Sequence, residues 1–205
     1  MNLNSTYSIR LISESDTESV LAVYAPFILN SDVTFEYEVP TVVEFAERIS
    51  SHTVEFPWLV CLSGDCIVGY AYAGKHRTRA AYQWSPELTV YLSEDVQGKG
   101  IARILYETLF AILKLQGYYT VFAGVTMPNT NSEGLHKAMG FEEIGIFKKV
   151  GFKHGKWHDT KWFQLHLSEY TSSPHIPRTI HEVVDMQEFA SIIYTANRSL
   201  SIITT

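Results

Sequence analysis

A short glycine-rich turn constrains this chain more than any other feature. An apolar stretch at residues 90–92 leads through a polar turn into VQGKGIA at residues 96–102. Apolar residues then recur at helical spacing, at Ile101, Leu105, Leu109, Ile112 and Leu113. Gly117 follows where a left-handed residue ends a helix. A strand, a turn of small residues and a helix in this order predict an anion-binding loop, because free amides and the helix dipole meet at the helix N-terminus.

Two common phosphate-binding patterns do not fit this turn. A Walker A loop needs Ser or Thr after its lysine, whereas Gly100 follows Lys99. A dinucleotide fingerprint needs a third glycine where this chain has Arg103, and it belongs to the first strand of its domain. A third pattern, Gln/Arg-x-x-Gly-x-Gly/Ala, is matched by Gln97, Gly100 and Ala102. That pattern suits a diphosphate that is held without being cleaved.

The composition is that of a globular chain of one domain. Of 205 residues, 46% are hydrophobic and 19% are charged, which is enough to form a core without metal or disulfide support. The formal net charge of −6 argues against binding to nucleic acid or to a membrane surface, since both need a basic face. No apolar run reaches the ~20 residues of a membrane span. Because the N-terminus also lacks the features of a signal peptide, we expect a cytoplasmic protein.

The cysteines and histidines give no sign of a metal site. Cys61 and Cys66 flank a turn, so they either face each other across two strands or are two buried free thiols. The second interpretation is favoured, because a cytosolic protein is kept reduced. There is no further cysteine pair and the eight histidines are scattered, so we expect no metal.

Periodicity and capping signals predict alternating strands and helices up to residue 170. Strands are expected near residues 7–12, 58–62, 66–73, 87–92, 119–125, 143–149 and 162–167. Helices are expected over residues 16–29, 41–52, 100–116 and 132–139. The first two should begin at capping boxes, Ser15 with Glu18 and Thr41 with Glu44.

The last 35 residues differ in character from the rest. Residues 171–174, with Pro177, are typical of a linker, and Asp185 with Glu188 predicts the start of an amphipathic helix. So short a helix cannot bury its apolar stripe alone, so it docks on the domain, docks on a partner subunit, or frays. We therefore divide the chain into a domain at 1–170 and a C-terminal extension at 171–205.

The order of these elements resembles the GNAT acyl-CoA transferases. Their pyrophosphate loop has the pattern found at residues 97–102, and their Leu-Tyr-x-x-x-Gly-Phe segment corresponds to LHKAMGF at residues 135–141. The resemblance implies the GNAT fold, an α/β (α+β) architecture. In it a central twisted mixed sheet of six to seven mostly antiparallel strands is flanked by helices.

A narrower resemblance covers roughly residues 7–167. The stretches FPWLV, GYAYAG, LHKAMGF and GFKHGKWHD are similar to phosphinothricin N-acetyltransferases. The resemblance implies a homodimeric enzyme that uses acetyl-CoA. Its acceptor would be the amino group of phosphinothricin, methionine sulfoximine or a similar amino-acid analogue.

Two residues are expected to carry the chemistry. Glu87 begins the strand that leads into the phosphate loop, so its carboxylate should lie near the thioester, and the resemblance gives it the role of general base. His136 falls where many GNAT enzymes have a tyrosine proposed to protonate the departing sulfur. The resemblance therefore implies that His136 assists the leaving group.

The cofactor residues follow the same strand and loop. The backbone of Val90, Tyr91 and Leu92 should pair with the pantetheine arm as another strand would. The diphosphate should be bound by Gln97, Gly98, Lys99, Gly100, Ile101, Ala102 and Arg103. The resemblance adds Asn129 as a hydrogen-bonding partner of the pantetheine arm.

The acceptor residues are expected in two places. Arg77 and Arg79 could clamp a carboxylate or phosphinate, with Tyr82 beside them, or they form a solvated basic loop or contact the CoA 3′-phosphate. The resemblance adds Phe35. Leu88 stands beside the expected base where relatives are more polar, which leaves the acceptor's identity open.

Two rival functions stay open. One is a GNAT enzyme for another amine, such as a polyamine, an aminoglycoside or a protein N-terminus. Paired arginines argue against a cationic acceptor. The other is a non-catalytic acyl-CoA-binding regulator, which would need neither Glu87 nor His136.

Overall fold

A computed structural model describes residues 6–203, and in this range the chain forms seven strands and six α-helices. The strands are β1 (Tyr7–Leu11), β2 (Trp58–Ser63), β3 (Cys66–Lys75), β4 (Pro86–Leu92), β5 (Thr120–Thr126), β6 (Glu142–Lys153) and β7 (Lys156–His166). The helices are α1 (Thr17–Asn30), α2 (Val42–Thr53), α3 (Ile101–Gln116), α4 (Thr130–Ala138), α5 (Ile180–Val183) and α6 (Gln187–Ile203). None of these helices is long and apolar enough to cross a membrane.

The seven strands form one twisted sheet in the order β1-β2-β3-β4-β5-β7-β6. All described neighbours are antiparallel except β4 and β5, which are parallel. The predicted α+β architecture of six to seven mostly antiparallel strands is therefore confirmed. The parallel pair is the place where the two halves of the sheet meet.

Helices cover both faces of the sheet, and alternation along β2 decides which side chain faces which helix. Leu59 and Cys61 belong to the larger core, which includes α3, whereas Trp58 and Val60 belong to the smaller core under α1 and α2. Successive side chains of a strand point to opposite faces, so a fully apolar run such as β2 is what a sheet covered on both sides requires.

The N-terminal helix begins differently from the prediction. The capping box is formed by Ser13 and Asp16, not by Ser15 and Glu18, and it opens a 3₁₀ turn that leads into α1. The Asp16 carboxylate accepts from the backbone amide of Ser13 at 2.7 Å and from Arg10 at 2.5 Å. An acidic residue with a basic partner from β1 therefore fixes this start. The capping box of Thr41 with its glutamate three residues on is confirmed at the start of α2.

The last hairpin of the sheet is longer than predicted. β6 and β7 continue through residues 150–161 and meet at His154 and Gly155, which both have positive φ, as a tight two-residue hairpin turn requires. The sequence signal was weak here because β6 is an edge strand. Most of its side chains are exposed, so apolar alternation does not mark it.

The segment after residue 170 shares the core of the domain. Ile180, Val183, Phe189, Ala196 and Leu200 are buried in the larger core, with α6 packed against α3 and β1. The predicted amphipathic helix thus docks on its own domain. The helix α6 begins at Gln187, two residues after the predicted cap Asp185, and a capping box of Thr179 with Glu182 begins α5 just before it.

The strand register corrects the prediction for the two cysteines. Cys61 is opposite Gly69 and Cys66 is opposite Ser63, so the thiols do not face each other across the hairpin. Both are free, but only Cys61 is buried, because Cys66 is the first residue of β3 beside the turn. Burial raises the pKa of the Cys61 thiol to about 12, which keeps it protonated and unreactive.

Candidate active site

Glu87 lies where the two halves of the sheet join. Its Cα is opposite Gly74 of β3 on one side and Phe122 of β5 on the other. Glu87–Phe122 is the single ladder pair between β4 and β5 in the described chain. From Leu88 to Leu92 the edge of β4 that faces β5 therefore carries backbone groups without a ladder partner, which an extended amide-bearing ligand can use.

Glu87 also lines a cavity of about 300 Å³. Its other walls are largely aromatic and small: Phe35, Gly124, Phe147, Thr160 and Trp162. The Phe35 ring fits against Gly151, because a Cβ on that glycine would stand 2.3 Å from the ring. The structure thus brings Phe35 and Glu87, two residues named from the sequence, to the same cavity.

The carboxylate of Glu87 is partly buried and has one close polar partner. Burial raises its pKa, and a hydrogen bond from His76 with the charges of His76 and Arg77 opposes that rise. Nδ1 of His76 lies 3.2 Å from Oε2 of Glu87. A carboxylate whose pKa is raised is a stronger base than an exposed one, as general-base chemistry near neutral pH requires.

The basic side chains lie in a neighbouring cavity of about 320 Å³. Arg77, Arg79 and Tyr82 line it together with His76. The structure therefore brings these three predicted acceptor residues together, but not into the cavity that Glu87 lines. His76 stands between the two groups, in contact with Glu87 and in the wall of the basic cavity.

The glycine-rich loop has the backbone that an anion site needs. Gly98 and Gly100 have φ of 75° and 85°, and Gly100 caps α3. The first helical hydrogen bond runs from the amide of Ile104 to Gly100, so the amides of residues 101–103 have no partner within the helix. The Gln97 side chain donates to the carbonyl of Leu92 at 3.0 Å and ties the loop to β4. Residues 97–103 therefore fit a diphosphate.

Several predicted cofactor residues already have partners within the protein. The Tyr91 ring packs against Tyr24 with centroids 4.9 Å apart, so its side chain belongs to the core, and its backbone is opposite Tyr70 of β3. The Lys99 ammonium lies 3.4 Å from the Tyr7 hydroxyl. Asn129 caps α4, with its side-chain oxygen accepting from an amide at 3.1 Å.

His136 lies in the core and lines neither cavity. It is 3% exposed and stacks on Phe163 with centroids 5.2 Å apart. Nδ1 donates to the carbonyl of Ser132 at 2.7 Å, and Nε2 lies 3.3 Å from the Tyr106 hydroxyl. Burial lowers the pKa of His136, so the ring is neutral at pH 7. These contacts favour a packing role over proton donation.

Sequence reasoning missed His76 and Trp162. His76 directly follows β3, and the register of Gly74 with Glu87 brings it beside the carboxylate. To find His76 from the sequence, the register between β3 and β4 would have to be predicted. Within residues 6–203 no group of three or more His, Cys, Asp or Glu side chains is arranged to hold a metal ion.

Comparison with known proteins gives the family. A model described as an acetyltransferase (GNAT) domain matches residues 9–162. The chain is 35% identical over 156 residues to a phosphinothricin N-acetyltransferase of Streptomyces viridochromogenes, covering 76% of this chain and 85% of the relative. It is 31% identical to an L-methionine sulfoximine/L-methionine sulfone acetyltransferase of Pseudomonas aeruginosa, covering 82% of this chain and 98% of the relative.

A solved structure agrees with this result. A GNAT superfamily phosphinothricin acetyltransferase from Sinorhizobium meliloti, in complex with acetyl-CoA, is 35% identical with a TM-score of 0.79. The match covers 83% of this chain and 94% of that one. The strand order, the glycine loop and these matches together show that the chain belongs to the GNAT family and is an N-acetyltransferase.

Proposed function

We propose that this protein transfers the acetyl group of acetyl-CoA to the amino group of a small amino-acid-like acceptor of the phosphinothricin or methionine sulfoximine type. The observation that carries the proposal is the place of Glu87. It lines a cavity at the one junction of β4 and β5, on the strand that leads to the glycine loop. The names of the relatives support this substrate class.

Acetyl-CoA supplies an activated acetyl thioester. The amides of the loop at 97–103 would hold its diphosphate, and the free edge of Val90–Leu92 would pair with the amides of its pantetheine arm. Of the side chains predicted for the cofactor, Gln97 and Asn129 would act by fixing the backbone around them. The solved relative in complex with acetyl-CoA supports acetyl-CoA as the acetyl donor.

Glu87 would take one proton from the acceptor ammonium, and the free amine would attack the thioester directly. No acyl-enzyme is needed, and Cys61 and Cys66 lie in β2 and β3 on the other side of β4 from the junction. The sequence-based assignment of leaving-group protonation to His136 stays a prediction, and the contacts of that ring argue against it.

The cavity beside the base would take the body of the acceptor, with Phe35 and Trp162 as apolar walls. The arginine pair in the neighbouring cavity would attract the acceptor's anionic group. A cationic acceptor is disfavoured, because like charges repel in a partly desolvated site.

A panel of acceptors tests the proposal. Acetyl-CoA consumption is measured with phosphinothricin, methionine sulfoximine, a polyamine, an aminoglycoside and a peptide with a free N-terminus. We expect turnover with the first two. Preference for the polyamine or aminoglycoside would contradict the acceptor class, and acetyl-CoA binding without turnover on any amine would favour a regulator.

The arginines are tested by Arg77→Gln with Arg79→Gln. Loss of a charge-assisted bidentate contact should raise KM for the acceptor by about 10-fold or more and leave KM for acetyl-CoA unchanged. Lys114→Gln, an exposed charge on α3, is the matched control. A rise in KM for acetyl-CoA alone would instead assign the arginines to the CoA phosphate.

A homodimer in the cytoplasm completes the proposal. The edge strand β6 exposes apolar side chains along its length: Ile144, Ile146, Phe147, Val150 and Phe152. Such a row at a sheet edge suits a second copy of the chain. Light scattering should give twice the chain mass, Val150→Glu should lower it, and Val43→Glu on α2 should not; a monomeric wild type would contradict this.

A further inference from the structure

The pair formed by His76 and Glu87 has no assigned role in acetyl transfer. Nδ1 of His76 lies 3.2 Å from Oε2 of Glu87, which leaves Oε1 of the carboxylate for another partner. The two residues come from neighbouring strands. His76 follows the last residue of β3, and Glu87 is the second residue of β4.

The His76 ring is held in a fixed position. Its side chain is 13% exposed, against 35% for Glu87. One face stacks on Phe122 with centroids 4.6 Å apart, and the ring meets Trp162 at 5.3 Å and 71°. Since Trp162 also lines the cavity of Glu87, the same aromatic walls orient the histidine and shape the acceptor site.

Few charged or titratable groups face this carboxylate. Besides His76, Arg77 acts on it through its charge, and Tyr72 of β3 and Tyr106 of α3 are within electrostatic reach. Tyr106 is buried and Tyr72 is half-buried, and desolvation raises the pKa of each, so they are neutral. Of these four groups, His76 is the one that donates a hydrogen bond to the carboxylate.

We propose that His76 is a positioning residue for the base. Its Nδ1–H donates to Oε2 of Glu87, which favours the ionised carboxylate and turns Oε1 toward the acceptor ammonium. This inference rests on the proposed role of Glu87. The ammonium gives one proton to Oε1, and the amine attacks the thioester carbonyl. The C–S bond then breaks, and the proton left on the acylated nitrogen passes to the departing thiolate, so that CoA leaves as the free thiol. The carboxyl proton passes to water after the products leave. His76 keeps its own proton throughout.

The pH dependence of kcat/KM for the acceptor tests this role in His76→Phe and His76→Asn. Phe keeps the ring stacking and removes the hydrogen-bond donor, so the acid limb of the pH profile should move up by about one pH unit. At pH values below that limb kcat/KM should be ~10-fold lower than in the wild type, and it should recover at high pH. Asn keeps a donor and should shift the limb less. Thermal unfolding and acetyl-CoA binding show whether each variant is folded.

Glu87→Gln separates the two proposals. If it is as active as the wild type, the base assignment fails and the inference with it. If Glu87→Gln is inactive while both His76 variants lose activity equally at every pH, Glu87 is the base but His76 has a packing role only. An acid limb unmoved in His76→Phe therefore overturns the inference.

A second, independent observation concerns α6, which lies outside the residues matched by the family model. The Asn197 side chain binds both backbone groups of Ile9, accepting from its amide at 2.6 Å and donating to its carbonyl at 3.1 Å. At the C-terminal end of α6, a methyl of Ile203 lies 3.5 Å from where a Cβ on Gly100 would stand. The helix thus connects the edge strand β1 to the glycine loop.

We infer that α6, which lies outside the residues matched by the family model, supports the cofactor loop. Ile203 packs on the glycine that caps α3, and Leu200 is fully buried one turn earlier. Movement of that glycine would displace the first amides of α3, which the proposed function assigns to the diphosphate. Ile203 is therefore expected to act on cofactor affinity through the loop.

Ile203→Ala and Ile202→Ala form a matched pair, because Ile202 is 76% exposed. Calorimetry with CoA should show ~3- to 10-fold weaker binding for Ile203→Ala, with KM for the acceptor unchanged, as expected for coupling through packed elements. Ile202→Ala should bind as the wild type. Equal affinities in the two variants would overturn the inference, whereas a wild-type protein that does not bind CoA would contradict the proposed function instead.

Discussion

His76 and His136 both stack on aromatic rings, yet of these two only His76 lines a cavity of the candidate site. His76 stacks on Phe122 and its Nδ1 faces the carboxylate of Glu87. His136 stacks on Phe163 and its Nδ1 donates to a backbone carbonyl. Stacking on rings therefore does not identify a histidine that acts in the site. The charge of its partner and its access to a cavity do.

The hydrogen bonds of the two rings follow from these partners. Nδ1 of His76 faces a carboxylate oxygen, and the ring lines the basic cavity. Burial lowers the pKa of His136, so the ring carries a single proton. That proton lies on Nδ1, because Nδ1 donates to the Ser132 carbonyl, and Nε2 accepts from the Tyr106 hydroxyl. In that form His136 has no proton to give to a thiolate.

Replacing the carboxylate of Glu87 should have the largest effect on kcat. Glu87→Gln should lower kcat by ~100- to 10,000-fold, the usual contribution of a general base. Its Tm should not fall. Because the folded-state pKa of Glu87 is raised, the stability linked to this group is present below its ordinary pKa and lost as pH rises, and a neutral amide avoids that loss. Steady-state kinetics and calorimetry measure both effects.

The exposed Glu38→Gln is the control for this variant. It should match the wild type in kcat and Tm. A Glu87→Gln enzyme that is unstable as well as inactive would mean that the carboxylate holds the fold together.

Replacing the core histidine should produce the opposite pattern. His136→Phe removes two hydrogen bonds and leaves the buried Tyr106 hydroxyl unpaired, which should cost about 1–3 kcal/mol of stability. The kcat of the folded enzyme should stay within about threefold of wild type. If His136 protonates the leaving thiolate, kcat should instead fall ~100-fold or more.

The smallest effect is expected at the partner of that histidine. Tyr106→Phe removes a 3.3 Å hydrogen bond and should cost about 1 kcal/mol, with kcat unchanged. Combined with His136→Phe, it should cost less than the sum of the two, because neither partner is then left unpaired. Urea unfolding of the three variants gives this double-mutant cycle, and strict additivity would show that the pair does not interact.

Local signals in the sequence predicted most of the fold. The glycine loop, α3 with its cap at Gly117 and the Thr41 capping box depend on contiguous residues, and the structure has them where expected. The long hairpin of β6 and β7 was underestimated, because an exposed edge strand carries no apolar alternation.

The candidate site was harder to predict, because its contacts depend on strand register. Glu87 and Phe35, which the sequence predicts for the site, line one cavity, but His76 reaches Glu87 only through the pairing of β3 with β4. The separation of Arg77 and Arg79 into a second cavity likewise depends on the path of the loop between these strands. Neither fact is local in the sequence.

The central claim is that Glu87 removes a proton from the acceptor ammonium, and an acceptor that needs no deprotonation tests it most directly. The rates of wild type and Glu87→Gln are compared on an amino acid and on its aminooxy analogue, whose amine is neutral at pH 7. The account predicts a large ratio of rates for the amino acid and a ratio near one for the analogue. An equally large ratio for both acceptors would contradict it.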